Sequence, residues 1–126
     1  ERPVSYARGA RAEQLAAVFL AQRGLQVLQR NYRCSHGEID LIARDGDTLC
    51  FVEVRFRRDS RFASPIATIS DVKRRRLVKT AQHYLAYALA GAARRLPCRF
   101  DVVTVEGSES PLTTWWRGAF EAEAGA

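Results

Sequence analysis

Two acidic side chains and one basic side chain in the first half of the chain have the types and spacing of a metal site that acts on a phosphate. Asp40 lies in the alternating segment 38–43, Glu53 lies in the alternating segment 49–56, and Arg55 follows Glu53 by two residues. Two adjacent carboxylates bind Mg²⁺ or Mn²⁺ through oxygen and leave coordination positions for water and a phosphate. The ion lowers the pKa of a bound water, and a cationic side chain stabilises charge on phosphorus. These residues therefore predict hydrolysis of a phosphate ester.

A β-hairpin would bring the two acids together. The turn-forming residues 45–47 separate the two segments, which is a strong hairpin signal. A loop of Gly46 and Asp47 would put Asp40 directly opposite Glu53, and a loop shifted back by one residue would make them diagonal neighbours on one face. A three-residue loop would separate them onto opposite faces unless a bulge intervened. Two-residue turns are the commoner choice.

The two faces of this hairpin differ in polarity. One face carries Ile39, Leu41, Ala43, Cys50, Val52, Val54 and Phe56, and the other carries Glu38, Asp40, Ile42, Phe51, Glu53, Arg55 and Arg57. A like-charge pair across two strands costs stability unless a cation lies between them, which favours a metal site. The alternative is that the second face is the solvent-exposed side of the hairpin, with ion pairs worth under about 1 kcal/mol each.

The remaining elements would position this hairpin. They are a helix over 7–23, a strand over 25–32, the hairpin, an irregular basic loop over 57–69, a helix from the N-cap Ser70 to about residue 90, and a strand over 98–106. We expect the tail aromatics Trp115, Trp116 and Phe120 to cap the core. The order helix, three strands, helix, strand predicts one α/β domain over 1–126 with a mixed central sheet and loose ends at 1–7 and 121–126.

The chain carries 20 Lys and Arg against 14 Asp and Glu, a net charge of +6, and much of the excess is local. The candidate nucleic-acid-binding residues are Arg57, Arg58, Arg61, Lys73, Arg74, Arg76 and Lys79. Cations in the first turns of a helix oppose its dipole, which favours binding of backbone phosphates over the alternative of a solvated helix face. No sequence-reading module is recognisable, so we expect recognition of DNA shape.

The three cysteines and the hydropathy narrow the class of protein. Cys34, Cys50 and Cys98 form no CxxC pair and are odd in number, so we expect reduced thiols, no zinc module and a cytoplasmic location. No apolar run approaches the ~20 residues of a membrane span, and a secretory signal is not recognisable. We therefore expect no membrane association.

Three fragments of the sequence also resemble a known protein family. Residues 37–42, 51–55 and 99–103 are similar to the YraN family of small bacterial proteins within the PD-(D/E)xK nuclease superfamily, whose fold is similar to archaeal Holliday-junction resolvases. The resemblance implies a restriction-endonuclease-like core, with Asp40 and Glu53 as ligands of Mg²⁺ or Mn²⁺ and Glu13 as an additional acid. Whether Glu13 and Glu38 belong to the site stays open. The superfamily has Lys where this chain has Arg55, and arginine keeps the charge but cannot act as a base.

The leading hypothesis is a magnesium-dependent endonuclease acting on branched or single-stranded DNA, with Asp40, Glu53, Arg55 and Glu13 as catalytic residues. The alternative is a nucleic-acid-binding module that keeps the fold without cleavage, which Arg55 favours. A third hypothesis is a protein-interaction domain whose basic face meets an acidic partner. The resemblance also implies a two-fold homodimer.

Overall fold

The computed structural model of the protein describes residues 4–57, 69–107 and 109–122, with side chains from residue 9 onward. The elements are, in chain order, α1 (Val4–Gln22), β1 (Gln26–Cys34), β2 (Gly37–Asp45), β3 (Thr48–Arg57), α2 (Asp71–Tyr87), a short 3-10 helix (Gly91–Arg95), β4 (Cys98–Glu106) and β5 (Leu112–Phe120). The sheet order is β1-β2-β3-β4-β5, with β3 and β4 parallel and the other pairs antiparallel. The predicted α/β class and mixed sheet are confirmed.

The parallel pair of strands explains the place of α2. Parallel neighbours cannot be joined by a tight turn, so the chain crosses over between β3 and β4, and α2 forms part of that crossover. Ser70 caps the helix as predicted, because its Oγ accepts a hydrogen bond from the backbone N–H of Lys73 at 3.1 Å. The helix ends at Tyr87, before the predicted end near residue 90.

Each face of the sheet packs against one helix. Ala16 and Leu20 of α1 share a buried cluster with Val52, whereas Tyr84 of α2 packs edge-on against Phe51. Two-sided burial is the expected environment of strands next to a parallel pair.

This packing contradicts one interpretation of the hairpin. The second face is not its solvent-exposed side, because Ile42 and Phe51 are 0% and 2% exposed and Glu53 is 5% exposed. The two apolar residues among the charged ones were the sequence signal that α2 covers this face. Glu53 is therefore a buried carboxylate, for which the lack of a partner would be costly.

The predicted element order lacks one strand. The tail forms β5, which pairs with β4 and sets Trp115 opposite Val103. β-branched and aromatic residues at 113–116 are typical of a strand, which the prediction overlooked. Phe120 nevertheless caps the core as expected, since it is buried and stacks on Phe100 with ring centroids 4.9 Å apart. At the other end, α1 begins at Val4, within the stretch predicted to be loose.

The register of the hairpin is the first of the two predicted. Leu41 pairs with Val52 and Asp45 pairs with Thr48, so the loop consists of Gly46 and Asp47. Gly46 has a φ of 59°, a left-handed conformation that glycine adopts without strain. The same register, extended by one residue beyond the pair of Leu41 and Val52, sets Asp40 opposite Glu53.

Candidate active site

The centre of the site is the pair of carboxyl groups from Asp40 on β2 and Glu53 on β3. The two groups lie within hydrogen-bonding distance of each other. Asp40 Oδ2 also accepts a hydrogen bond from the backbone N–H of Val54 at 2.8 Å, which fixes its orientation on the neighbouring strand. The predicted convergence of these two acids is therefore present in the fold.

The surroundings of Asp40 favour its protonated form. Burial, which is the largest cause, and the hydrogen bond and charge of the Glu53 carboxyl together raise the pKa of Asp40 from its ordinary 3.8 to about 8. The Val54 N–H opposes this rise. Two acids that cannot both ionise in one buried place share a proton unless a cation replaces it.

A lysine from α2 reaches this pair. Lys73 Nζ lies 2.7 Å from Glu53 Oε2, and Arg55 Nε lies 3.7 Å from the same oxygen. Lys73 was predicted to bind phosphates flanking the site, and the fold instead sets its ammonium group on the carboxylate. Arg55 Nε is buried and, among the described residues, has no hydrogen-bond partner.

Glu13 of α1 joins the pair from the other side. It shares a hydrogen bond with Asp40, and burial raises the pKa of Glu13. With its amide nitrogen turned toward the acids, Asn31 donates to Glu13 Oε2 at 3.1 Å and to Glu38 Oε1 at 3.0 Å. Asn31 has a left-handed φ of 52°, which asparagine tolerates better than most residues. Glu13, whose place in the site the sequence left open, thus contacts both Asp40 and Asn31.

Glu38 forms an ion pair with an arginine of β1. Arg33 Nε donates to Glu38 Oε2 at 3.1 Å, in addition to the Asn31 amide. Glu13, Glu38 and Asp40 line an open groove of about 540 Å³ together with the exposed Arg30 and Arg33. Half-buried acids beside exposed arginines suit a bound phosphate ester.

Within the described ranges, no group of three or more His, Cys, Asp or Glu side chains is arranged as a metal site. The acids contact one another pairwise, through Asp40, and do not enclose a common centre. Asp40 and Glu53 thus offer two neighbouring carboxylates, and any further metal ligands would come from water or from a bound molecule.

The sequence of the chain matches the model of the uncharacterised protein family UPF0102 over residues 12–105. The chain belongs to the UPF0102 family. The YraN-family prediction is thereby confirmed. The matched range includes Glu13, Asp40, Glu53 and Lys73, so the whole cluster lies inside the family region.

Several UPF0102 relatives align over nearly their full length. A UPF0102 protein of Nitrosomonas europaea is 48% identical over 114 residues, which cover 90% of this chain and 93% of the relative. One of Nitrosococcus oceani is 47% identical over 118 residues, with 93% and 94% covered. One of Xanthomonas campestris is 49% identical over 116 residues, with 92% and 93% covered.

The predicted phosphate-binding residues of this UPF0102 chain are divided by the fold. Arg58 and Arg61 lie outside the described residues. Arg74 turns toward the protein body, where its Nε donates to the Ile69 carbonyl at 3.2 Å and its guanidinium lies 5.5 Å from the Phe120 ring centre. Arg57 ends β3 and is half-buried, whereas Arg76 and Lys79 are exposed on α2.

The sequence reasoning did not identify Arg30, Asn31 and Arg33 as site residues of the UPF0102 chain. Their only local signal was a polar run in the middle of a predicted strand. All three cysteines are free thiols, as predicted. In the described parts of the chain, no helix has the length and apolar composition needed to cross a membrane.

Proposed function

We propose that this UPF0102 protein is a divalent-metal-dependent nuclease that hydrolyses phosphodiester bonds in DNA. The single observation that carries the proposal is the contact between the half-buried Asp40 and the buried Glu53, two acids that meet beside the Arg55 guanidinium. A stable protein normally satisfies such groups, and those left incomplete are candidates for binding. The order of α1, the hairpin, α2 and β4 is consistent with a restriction-endonuclease-like core, with β5 added at the edge of the sheet.

The donor set fits Mg²⁺ or Mn²⁺. Asp40 and Glu53 supply hard oxygen ligands, and magnesium sites commonly use one or two carboxylates and complete the shell with phosphate oxygens and water. A divalent ion would also oppose the raised pKa of Asp40, since its positive charge favours the ionised carboxylate. When bound, the ion would supply Lewis acidity and an activated water.

The residues of the chain would then have distinct roles. The Val54 N–H orients Asp40, and the buried Glu53 holds its carboxylate between β3 and α2. The Arg55 guanidinium, whose Nε lies 3.7 Å from Glu53 Oε2, would stabilise negative charge on the phosphate. Lys73, with a side chain 46% exposed, adds an ammonium group beside Glu53. The superfamily instead has a lysine on the strand that corresponds to β3, at the position of Arg55. Glu13 lies at the groove side of Asp40, where it can orient a water molecule.

A second candidate function is a nucleic-acid-binding module without cleavage. The Lys73 ammonium already pairs with Glu53, so part of the negative charge is compensated without a metal ion. In that case the arginines of the groove and of α2 would bind phosphates, and the affinity would fall steeply with salt. The two-fold dimer implied by the resemblance stays a prediction in either case.

The test is cleavage of labelled duplex, single-stranded and four-way DNA in Mg²⁺ or Mn²⁺. We expect cleavage of at least one substrate, and a loss of about 100-fold or more in Asp40→Asn and in Glu53→Gln, because each removes a ligand for a charge worth several kcal/mol. Asp47→Asn is the matched control, since Asp47 is an exposed acid of the same hairpin with a side chain 93% exposed.

The possible outcomes separate the candidates. Salt-sensitive DNA binding without cleavage, retained in Asp40→Asn, would establish the binding module. Neither cleavage nor binding at low salt would overturn both, and would favour a protein-interaction domain with an acidic partner.

A further inference from the structure

A second surface feature lies at the far end of α2. Tyr87, the last residue of this helix, is 78% exposed, although an aromatic ring gains most from burial. Lys73 lies in the first turn of the same helix, and the exposed Arg76 and Lys79 lie between the two residues. The exposed ring and the carboxylate site thus lie at opposite ends of one helix.

The Tyr87 ring rests on an anchored support. Its centroid is 4.6 Å from that of His83, and His83 Nδ1 is hydrogen-bonded to the hydroxyl of Tyr32. Tyr32 is itself buried, with its ring edge-on to Tyr84 at 5.1 Å. The support therefore reaches into the core through two aromatic contacts, which favours a rigid platform for a further ring.

Polar and cationic groups surround this platform. Tyr87 and His83 line a surface pocket of about 340 Å³ together with Lys79, Gln82 and His36, which comes from the turn between β1 and β2. None of the lining residues that the structure describes is acidic. An exposed aromatic ring beside amide and ammonium donors suits a nucleobase that stacks and a phosphate that pairs.

The distance to the carboxylates suits one continuous strand. Lys73 and Tyr87 are 14 helical positions apart, which corresponds to about 21 Å along the axis. That length matches roughly six stacked nucleotides at about 3.4 Å each, and fewer if the strand is extended. The exposed Arg76 lies between the two ends, where it can follow the backbone.

From this juxtaposition we infer that the Tyr87 pocket binds an unpaired nucleotide of the substrate strand. The base stacks on the platform of Tyr87 and His83, and the adjoining phosphate pairs with Lys79. The inference rests on the proposed action on nucleic acid, and it adds a requirement for an unpaired base a few nucleotides from the reacting phosphate.

The test uses fluorescence anisotropy with the full chain in a chelating buffer, so that cleavage plays no part. The probe is a single-stranded oligothymidylate of about 16 nucleotides, the upper end of site sizes in small single-strand-binding domains. We expect Tyr87→Ala to weaken binding by about 5- to 150-fold and Tyr87→Phe to bind within about twofold of the wild type, because stacking needs the ring and not the hydroxyl. Leu112→Ala is the control, since Leu112 is 62% exposed on β5 and should change nothing.

Two comparisons separate stacking from charge. Lys79→Gln should reduce the slope of log affinity against log salt by about one phosphate contact, whereas Tyr87→Ala should leave that slope unchanged. A fully paired duplex of the same length should bind Tyr87→Ala and the wild type equally, because it offers no unpaired base to the ring.

Three results would overturn the inference. Wild-type affinity of Tyr87→Ala for the single strand would remove Tyr87 from the site while leaving the proposed nuclease function intact. An equal loss on single strand and duplex would show that Tyr87 does not read an unpaired base. Failure of the wild type to bind either probe at low salt would remove this site and the proposed action on nucleic acid together.

Discussion

Two aspartates of one sheet, the buried Asp101 and the half-buried Asp40, have opposite surroundings. Asp101 on β4 is 1% exposed and accepts hydrogen bonds from Arg99 Nε at 2.9 Å, Arg99 Nη2 at 3.1 Å, Trp115 Nε1 at 2.9 Å and the Gly118 N–H at 2.9 Å. Asp40 on β2, in the described part of the chain, accepts one N–H hydrogen bond, from Val54. The fold therefore supplies four N–H hydrogen bonds to the Asp101 carboxylate and, among the described residues, one to the Asp40 carboxyl group.

The difference separates a structural charge from a candidate functional one. The Asp101 hydrogen bonds raise the pKa of Arg99, and the same guanidinium also reaches Asp45 at 3.0 Å and Cys50 Sγ at 3.2 Å. At Asp40, burial and the neighbouring Glu53 raise the pKa to about 8. A buried charge with all its partners stabilises the folded state once formed, whereas one without them lowers stability and is retained for another reason.

The largest expected effect comes from Asp101. Asp101→Ala should lower the free energy of unfolding by about 3–5 kcal/mol, because Arg99, the Trp115 indole N–H and the Gly118 N–H would lose the buried acceptor that they share. Urea denaturation measures this, with Asp47→Asn as an exposed control expected within about 0.5 kcal/mol of the wild type. A loss below about 1 kcal/mol for Asp101→Ala would show that the Asp101 network is not structural.

Asp40→Asn should raise the free energy of unfolding, whereas Asp101→Ala lowers it. The pKa of Asp40 is higher in the folded state, so folding opposes the ionisation of this acid. The contribution of Asp40 to the free energy of unfolding therefore falls as the pH rises from 3.8 to about 8. Asparagine has no such charge and keeps an acceptor for the Val54 N–H. We expect the variant to be more stable than the wild type by about 1–3 kcal/mol near pH 8, with the gain vanishing near pH 4.

The measurement is a series of urea denaturation curves of both proteins between these two pH values. A variant that is less stable than the wild type near pH 8 would contradict the interpretation of Asp40 as an incomplete carboxylate, since it would then resemble Asp101.

The smallest effect concerns Lys73. Lys73→Met removes the ammonium group that lies 2.7 Å from Glu53 Oε2, and with it the competitor of a divalent ion for that oxygen. We expect Mn²⁺ to bind about fivefold more tightly, equivalent to an ion pair of about 1 kcal/mol. Calorimetry measures the affinity, and Lys79→Met on the same helix is the control. Weaker binding of Mn²⁺ by Lys73→Met would show that Lys73 supports the ion instead of competing with it.

The sequence predicted the features that depend on residues close together in the chain. The turn at Gly46 and Asp47, together with alternation along two strands, determined the register and hence the meeting of Asp40 with Glu53. Glu13 was identified through a family resemblance. Because residue spacing along one helix does not indicate which strand it faces, that resemblance carried information that periodicity alone lacks.

What the sequence did not predict depends on contacts between distant segments. Lys73 follows Glu53 by twenty positions, and its place on the carboxylate depends on where α2 crosses the sheet. Asn31 contacts Glu13 and Glu38 through an unusual backbone conformation that has no pattern in the sequence. β5 was missed because its aromatic residues, Trp115 among them, also fit a tail that caps a core.

The most direct measurement is a calorimetric titration of the protein with Mn²⁺ at pH 7, in two buffers that differ in their heats of protonation. If Asp40 and Glu53 form the metal site, about one ion should bind per chain and release about one proton, because the ion replaces the proton that the pair shares. Asp40→Asn should abolish the binding and Asp47→Asn should preserve it. Absence of binding, or equal binding to Asp40→Asn, would contradict the assignment of this pair as the metal site.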